Sequence, residues 1–583
     1  MTTTVAEGRP TFRRRVRAGE APAPGPGYAS RLLPFLSVLA GTAAIGWHAT
    51  RYGNWIIDDA GITFAYARSV AEGLGPVVQL GAVPVEGFSN PSWMLLLAAG
   101  RLLGLFDHGT LFGVPDYVLF PKGLALLCCA GILVLCYRAA AMVTRRPWLA
   151  TLAIGAALAS IPSFVIWCFS GLSNSLFALT VTGLAVLLFR AVLHHRLLFG
   201  RIAVGAGLLA ALAALTRPEG LIYAGVYPLA ALIGLRRYTI GPVLGRAALS
   251  TVAFLLPVGT YFCWRYLEFG RLVANPAVAK EQDMPVVEDL TRPGALVGYA
   301  GALAVLAVAV AIGMVLARRV WWRPALLALL VPLGLALLAF AVLRADWMAQ
   351  FRFATPVWVL SALVGTLAVA EVLRGVGRHA RVLGATGLAA VLLPSAVSFE
   401  AAASEFRDSP NISMCFVADR MGRGFNAYAD MLELKQGSLL LPDLGGSAMT
   451  SRLHLVDMAG LVSARIADYM ASGDRQGKRD YIFDEVKPTF IHSHAPWSAA
   501  NGIPSDPRME RDYYQIFEYS YPGPPNGDWV RKDVVPDRQT LERLRRYANT
   551  TLTEVDRRSF AREWPRRECG DTLHPGQTQV NQH

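Results

Sequence analysis

Charged residues are scarce in this chain. Asp, Glu, Lys and Arg make up 17% of its 583 residues, whereas soluble domains carry about 25%. Hydrophobic residues make up 54%, and the mean hydropathy is +0.38. This balance excludes an ordinary soluble domain and indicates a protein that spans a membrane.

The sequence also lacks the basic stripe with interleaved aromatic residues that is typical of nucleic-acid-binding proteins. Its net charge is +13, and most of this charge is Arg in short clusters between apolar runs. That pattern is typical of cytoplasmic turns under the positive-inside rule. We therefore expect the lipid bilayer as a partner and no nucleic acid.

No small-residue cleavage site clearly follows the first apolar run, so we expect this run to be kept as an anchor. The segment before it contains Arg13, Arg14 and Arg15 and a Pro/Gly-rich stretch at 21–27. We assign residues 1–30 to a disordered cytoplasmic N-terminus, residues 31–399 to a transmembrane domain and residues 400–583 to an extracytoplasmic soluble domain.

About eleven apolar runs approach the roughly 17–25 residues that a membrane-spanning helix needs. Two of them are short. The runs are 32–50, 117–143, 148–169, 174–193, 202–215, 221–235, 241–264, 295–316, 324–343, 353–373 and 382–399. The sequence thus predicts an α-helical polytopic membrane protein with about eleven transmembrane helices.

The Arg-containing turns predict the orientation in the membrane, because such turns face the cytoplasm. They are 145–146, 194–201, 236–237, 318–319 and 374–381. All of them fall on one side only if the run 93–106 does not cross. We therefore expect the N-terminus inside, the C-terminus outside and 93–106 as an amphipathic or re-entrant helix at the outer surface. In the alternative topology, the run 93–106 crosses the membrane, and the Arg turns from 145–146 onwards lie outside.

Two adjacent carboxylates, Asp58 and Asp59, follow the first apolar run and are flanked by apolar residues. Two acids that lie next to each other and near a bilayer can both ionise only at a high cost in free energy. One of them should therefore have a raised pKa, unless a cation or polar group compensates its charge. Such an environment suits a general base. Consecutive residues at a helix end point about 100° apart, so we expect only one of the two to face a pocket.

Further polar residues lie at membrane boundaries on the side opposite the Arg turns. Charge at membrane depth is costly and usually serves a site. These candidates are Glu86, Asn90, Arg217, Glu219, Asn275, Lys280, Asp346 and Arg352. Each also has a simpler interpretation: Arg217 with Glu219, and Asp346 with Arg352, can be local ion pairs, and Lys280 can be a solvated loop lysine.

The C-terminal part is polar and of domain size. It contains strand-like pieces at 437–441 and 481–483 and a helical stretch at 538–547, which favours an α/β domain. Cys415 and Cys569 are its only cysteines, and an oxidising exterior permits a disulfide between them; two buried thiols are the alternative. Its aromatic residues suit sugar stacking or core packing, among them Trp497, Tyr513, Tyr514 and Tyr519.

From about residue 50 to beyond residue 460, the chain resembles the GT-C glycosyltransferases, and within them the actinobacterial terminal arabinofuranosyltransferase (AftB-like) family. The ordered motifs are IDDA at 57–60, AEGLGP at 71–76 with VEGFSN at 85–90, FSGL at 169–172, LTRPE at 215–219, GRLV at 270–273 with AK at 279–280, ADWM at 345–348 with RF at 352–353, and VDMAGL at 456–461. One departure is Ser173, where relatives usually have Glu after Ser-Gly-Leu. This departure weakens the inference to the same substrate.

The resemblance implies an inverting membrane glycosyltransferase with a C-terminal extracytoplasmic α/β domain. Its donor would be a polyprenyl-phosphate-linked sugar such as decaprenylphosphoryl arabinose, and its acceptor a cell-wall glycan such as arabinogalactan. A single Asp in this loop acts as base in those families, and we match it to Asp58, with Asp59 holding a cation or sugar hydroxyls. The bias of Arg over Lys fits a GC-rich actinobacterial genome, which makes arabinofuranose the first guess.

The chemistry of sugar transfer from a phosphate donor indicates roles for the other candidate residues. Departure of a phosphate needs cations, and Arg217, Lys280 and Arg352 are the candidates for the donor phosphate. Glu86, Asn90, Glu219, Asn275 and Asp346 are the candidates for substrate contacts. With enough cationic side chains a metal is not required, and no His/Asp ligand cluster stands out in the sequence, so we expect no metal and no other cofactor.

Three other functions stay open. A GT-C mannosyltransferase, or another enzyme acting on a different glycan, lipid or protein, would share these motifs. A secondary transporter predicts inverted repeats and broken helices near the midplane, and no internal repeat is evident. A membrane scaffold with a sensory outer domain would not need Asp58 and Asp59.

Overall fold

The computed structural model describes residues 28–280, 286–318, 320–344, 346–520 and 522–560. Most of the predicted N-terminal cytoplasmic segment, 1–27, and the predicted disulfide partner Cys569 lie outside these residues. Cys415 is disulfide-bonded. Its pairing with Cys569 stays a prediction.

The first two thirds of the chain are helical. The helices, α1 to α16 in chain order, are Tyr28–Thr50, Asp58–Ala71, Pro91–Leu102, Asp116–Val143, Pro147–Ser160, Pro162–Cys168, Asn174–Leu193, Gly200–Thr216, Val226–Ala231, Ile240–Phe269, Asn275–Ala279, Pro293–Ala300, Ala302–Ala317, Arg323–Val342, Thr355–Arg374 and Arg378–Asp408. A two-residue hairpin, β1 (Thr110–Leu111) with β2 (Val114–Pro115), precedes α4.

Among the described residues, seven helical segments are long and apolar enough to cross a membrane, and nine if each of two bent pairs counts as one span. The seven are Leu32–Thr50, Asp116–Val143, Asn174–Leu193, Arg237–Phe269, Arg323–Val342, Arg352–Arg374 and Arg378–Asp408. This defines a multi-pass membrane protein. The predicted number of about eleven is not confirmed.

The part of the chain that the structure describes has fewer long membrane-spanning helices than the eleven predicted, and the reasons are local. The helices α5 and α6 meet at 81°, because Pro162 lacks the N–H that would continue the helix. The pair formed by 287–300 and α13 bends by 107° at Gly301, whose φ of 88° favours glycine. The predicted span 221–235 consists of short pieces, the 3-10 helix Pro218–Gly225, α9 and a final 3-10 turn. The helix α8 is apolar and has 17 residues, which is the lower limit of the length that a membrane-spanning helix needs.

The run predicted to lie at the outer surface forms α3, a helix of 12 residues. At about 1.5 Å per residue this helix is roughly 18 Å long, whereas the hydrocarbon core is about 30 Å thick. It is therefore too short to cross on its own, as the non-crossing interpretation requires.

The C-terminal part combines short helices with a mixed sheet. Its helices, α17 to α25, are Met414–Val417, Gly424–Met431, Gly445–Thr450, Ala464–Ser472, Arg475–Asp480, Trp497–Asn501, Pro507–Asp512, Arg538–Tyr547 and Thr553–Phe560. Its strands, β3 to β7, are Ser438–Leu441, His454–Asp457, Phe490–Ser493, Tyr513–Glu518 and Gly527–Arg531. The strand order is β4-β3-β5-β7-β6, in which β4, β3 and β5 run parallel and the other neighbours antiparallel.

The strand predicted at 437–441 and the helix at 538–547 are confirmed by β3 and α24. The strand-like interpretation of 481–483 is wrong, because these residues lie in a π-helical stretch, Tyr481–Val486, that continues α21. Ile482 and Phe483 pack into a hydrophobic core beneath the sheet. A short apolar segment of this kind cannot be assigned to strand or helix by its periodicity.

Candidate active site

Asp58 and Asp59 occupy the first turn of α2, where the positive end of the helix dipole stabilises carboxylates. Their side chains diverge, as their spacing on the helix predicts. Asp58 points into the C-terminal part of the protein, whereas Asp59 lies beside Lys280 with a quarter of its side chain exposed. The two carboxylates therefore have different neighbours and different access to solvent.

Asp58 is held by backbone donors of α19. Its Oδ1 accepts a hydrogen bond from Gly446 N at 2.7 Å, and its Oδ2 accepts one from Gly445 N at 3.0 Å. The residue is 3% exposed. Burial, together with the nearby charge of Asp443, raises the pKa of Asp58 well above its usual range, while the two amide donors act in the opposite direction. Both carboxylate oxygens are thus engaged within the protein.

Two glycines allow the close approach that makes these bonds. A Cβ added at Gly445 would lie 1.7 Å from the carbonyl oxygen of Asp58, and one added at Gly61 would lie 2.5 Å from the Gly445 backbone. The adjoining backbone is paired as well: Asp58 N donates to Ile412 O at 3.1 Å, and Met414 N donates to Ile56 O at 2.9 Å. Asp58 therefore joins the helical part to the sheet-containing part.

Asp59 faces a group of cations. Its Oδ2 lies 3.9 Å from Lys280 Nζ, and the Lys280 side chain is about half exposed. Arg352 lies close enough to interact electrostatically with Asp59, Arg217 and Glu219. Asp59 thus combines partial access with positive charge nearby, which is an arrangement suited to a base beside an anionic group.

The side-chain amide of Asn174 and the ring of Phe353 both contact Arg217 and Arg352. Arg217 Nη1 donates to Asn174 Oδ1 at 2.9 Å, and Asn174 Nδ2 donates to the backbone oxygen of Arg352 at 2.9 Å. The two guanidinium groups lie 5.4 and 4.9 Å from the centre of the Phe353 ring. Asn174, in the first turn of α7, belongs to the polar segment 170–174 that the sequence places at the same membrane boundary. The sequence assigns it no role, because its contacts join three separate segments.

Both predicted local ion pairs are present. Arg217 pairs with Glu219, and Arg352 Nε lies 2.8 Å from Asp346 Oδ2. All four side chains are 12% exposed or less. Each guanidinium has five N–H donors, so one carboxylate does not exhaust either Arg, and both can still bind a phosphate oxygen.

Glu86 and Asn275 belong to a second polar group. Glu86 accepts hydrogen bonds from Tyr261 Oη at 2.5 Å and Arg265 Nη2 at 3.0 Å. Burial raises the pKa of Glu86, and Arg265 opposes this rise. A small cleft here is lined in part by Glu86, Arg271 and Asn275. The predicted substrate contact Asn90 instead accepts a hydrogen bond from Thr63 at 3.3 Å.

The VDMAGL loop at 456–461 positions Lys280 indirectly. Asp457 accepts hydrogen bonds from Ala459 N at 2.8 Å and Val462 N at 2.7 Å, which fixes the loop. Asn275 Nδ2 then donates to Gly460 O at 2.6 Å. Because Asn275 begins α11 and Lys280 follows its end, this loop holds the lysine near Asp59.

Apart from Asp58, which is held by α19, the predicted site residues fall into two sets. Asp59, Lys280, Arg217, Glu219, Asp346 and Arg352 form one charged network. Glu86, Asn90 and Asn275 make internal contacts elsewhere. Ser173, at the position where the resemblance implies Glu, is buried and donates to Thr216 O at 3.1 Å. The molecule is a multi-pass membrane protein with three carboxylates and three cations gathered in one network beside an α/β unit.

Comparison with known proteins gives likenesses at low identity. No protein-family model matches the chain, and no curated protein matches it. It is similar to an oligosaccharyltransferase of Archaeoglobus fulgidus, at 10% identity and a TM-score of 0.49 over 80% of this chain and 70% of that chain.

Two further solved structures are similar. ArnT from Cupriavidus metallidurans, bound to undecaprenyl phosphate, shares 15% identity at a TM-score of 0.44 over 77% of this chain and 79% of that chain. The arabinofuranosyltransferase AftD from Mycobacteria shares 15% identity at a TM-score of 0.47 over 86% of this chain and 40% of that chain. All of these TM-scores are below 0.5.

Proposed function

We propose that this protein is an integral-membrane inverting glycosyltransferase of the GT-C type. It transfers a sugar from a polyprenyl-phosphate donor to a glycan acceptor on the extracytoplasmic side. The observation that carries the proposal is the position of Asp59, 3.9 Å from Lys280 and close to Arg217 and Arg352. The ordered motifs that resemble GT-C enzymes support it.

Each residue of the charged network has a place in this reaction. The acceptor hydroxyl attacks the anomeric carbon, the bond from that carbon to the phosphate oxygen breaks, and the polyprenyl phosphate leaves with the electron pair. Asp59 takes the proton of the hydroxyl as general base. Lys280, Arg217 and Arg352 stabilise the negative charge on the departing phosphate.

The choice of Asp59 as base reverses the role that the resemblance implies for Asp58. A base must reach the proton it removes, and geometry takes precedence over pKa in this test. Both oxygens of Asp58 accept backbone hydrogen bonds in a buried site. Asp59 has an exposed edge on the side of Lys280. Asp58 then serves as the joint that sets the position of α2.

The donor proposed first is a decaprenylphosphoryl arabinofuranose, and the acceptor a cell-wall arabinan of the arabinogalactan kind. This choice rests on the AftB-like motifs. We expect the purified protein in liposomes to transfer radiolabelled arabinofuranose from this donor to an arabinan oligosaccharide, with inversion at the anomeric carbon. A mannosyl polyprenyl phosphate in a parallel reaction serves as the comparison donor.

The comparison of the two donors distinguishes the test of the enzyme class from the test of which sugar is transferred. Transfer from the mannosyl donor alone would keep the glycosyltransferase class and overturn the arabinofuranose assignment. An absence of transfer from either donor, to arabinan, mannan and lipid acceptors alike, would contradict the proposed class in a preparation that still melts cooperatively.

The proposed side of the membrane can be tested by labelling. In a Cys263→Ser background, we expect a membrane-impermeant thiol reagent added to intact cells to modify a cysteine placed at Val83. The same reagent should spare a cysteine at His194 until the membrane is opened. Both positions are exposed in the structure, so a difference in labelling between them would arise from the membrane barrier. Labelling of His194→Cys from outside would overturn the topology and the location of the site.

A further inference from the structure

Three potential metal ligands meet in the C-terminal part, outside the charged network around Asp59. Asp443, His492 and His494 each present one ligand atom within 4.8 Å of the other two. Asp443 follows β3, and the histidines lie on and just after β5. Because β3 and β5 are parallel neighbours, their carboxyl ends meet at the same edge of the sheet.

His492 is oriented as a metal ligand normally is. Its Nδ1 lies 2.7 Å from Asp528 Oδ1, and Asp528 is held in turn by Arg420 at 2.9 Å and Tyr428 at 3.0 Å. The residue is 0% exposed, and within the described residues its Nε2 has no hydrogen-bond partner. A carboxylate on one ring nitrogen fixes the tautomer and leaves the other nitrogen with a lone pair for a metal.

His494 has a similar arrangement. Its Nδ1 contacts the carbonyl oxygen of Ala495 at 2.8 Å, and its Nε2 lies 2.6 Å from Asp443 Oδ2. At this distance a proton on Nε2 makes the contact an ion pair with the carboxylate. A metal ion must displace that proton, and with Nδ1 donating to the carbonyl, Nε2 and the carboxylate are then two electron-pair donors. A cation between them satisfies both groups.

We propose that Asp443, His492 and His494 bind one divalent transition-metal ion of the zinc class. Two imidazoles and one carboxylate are a donor set that Zn²⁺ accepts, with water in the fourth position. Tetrahedral Zn–N and Zn–O bonds of about 2.0–2.2 Å place the ligand atoms about 3.3–3.6 Å from one another. His494 Nε2 and Asp443 Oδ2 must therefore separate from 2.6 Å to admit the ion, and ligand atoms up to 4.8 Å apart must approach each other. Asp443 and His494 are partly exposed, at 14% and 28% of their side chains, which leaves them free to make this movement.

The site lies next to the joint between the two parts of the protein. Asp443 is two residues before Gly445, whose amide binds Asp58. The metal would fix this loop and neutralise the Asp443 carboxylate, whose charge acts on Asp58. Metal binding would therefore stabilise the docking of α19 on α2, whether or not the protein transfers sugar.

No ligand cluster stands out in the sequence, because Asp443 stands 49 positions before His492. The His-x-His pair was the one available signal, since alternate residues of an extended strand share a face. Only the parallel pairing of β3 with β5 places the carboxylate beside the pair.

The test uses tag-free full-length protein in detergent, stripped with a chelator and titrated with Zn²⁺ alone. We expect one equivalent of Zn²⁺ per chain, and a Co²⁺-loaded sample with the visible absorption of a four-coordinate nitrogen and oxygen site. Asp443→Asn combined with His494→Gln should weaken Zn²⁺ binding by at least ~100-fold and abolish that absorption. His454→Gln, a histidine variant on β4 away from the cluster, should keep the full equivalent.

Two results would overturn the proposal. One is wild-type protein that takes up no Zn²⁺ and gives Co²⁺ no absorption beyond that of the aqueous ion. The other is a double variant that elutes and melts like the wild type and binds Zn²⁺ equally well. Neither measurement involves sugar transfer, so failure of the metal site and failure of the proposed function can be distinguished.

Discussion

Asp59→Asn should lower the turnover of sugar transfer by about 10²–10⁴-fold, which is the usual contribution of a general base. The amide keeps the size of the side chain but cannot accept the proton of the acceptor hydroxyl. Since the cations that bind the donor phosphate stay in place, the affinity for the donor should change little. Single-turnover kinetics, with donor binding measured separately, distinguish these two effects.

The matched control is Asp58→Asn on the adjacent residue. This amide has one acceptor for the two N–H donors of Gly445 and Gly446, and an unsatisfied buried donor costs about 1–3 kcal/mol. We expect its main effect on thermal stability and on the docking of α19, with a smaller effect on turnover in the fraction that stays folded. If Asp58→Asn abolishes turnover with donor affinity intact, while Asp59→Asn retains it, Asp58 is the base.

The sequence located this pair of acids but did not separate their roles. Local spacing predicts that the two side chains diverge, and they do. Which of them faces the site depends on Gly445, which lies 387 residues further along the chain. No local pattern reports such a contact, so the resemblance alone decided in favour of Asp58.

The apolar runs were predictable because hydropathy is a local property. Each of the eleven runs is helical in the structure. Their continuity was harder to predict. Pro162 and Gly301 break two runs, whereas Pro257 and Pro332 lie within continuous helices. The outcome at each proline or glycine depends on the packing around it, which a hydropathy profile does not contain.

The contacts of the candidate site also divide into local ones, which the sequence predicts, and long-range ones, which it does not. Arg217 with Glu219 lie two residues apart, and Asp346 with Arg352 lie within one loop, so both pairs could be predicted from sequence. The contacts of Asn174 with Arg217 and the backbone of Arg352, and of Asn275 with the VDMAGL loop, join distant segments. These contacts arise only from the folded arrangement of the helices.

Lys280→Met should lower turnover by about 10²–10³-fold, a loss comparable with that of one preorganised donor at a developing negative charge. Met preserves most of the length of the side chain and removes its charge. Because the Lys280 side chain is about half exposed, the substitution should leave the melting temperature unchanged. Lys280→Arg restores a cation and should recover part of the turnover, while Lys435→Met, at an exposed lysine in the C-terminal part, should have no effect.

The kinetic pattern of Lys280→Met tests where the lysine acts. A fall in kcat and in kcat/KM by the same factor means that Lys280 binds charge that develops only as the phosphate leaves. A rise in KM at constant kcat would mean that it binds the ground-state donor phosphate equally well. Wild-type values of both constants would contradict the assignment. Lys280 would then be a solvated loop lysine, and Arg217 and Arg352, held by Asn174 and Phe353, would be left to bind the phosphate.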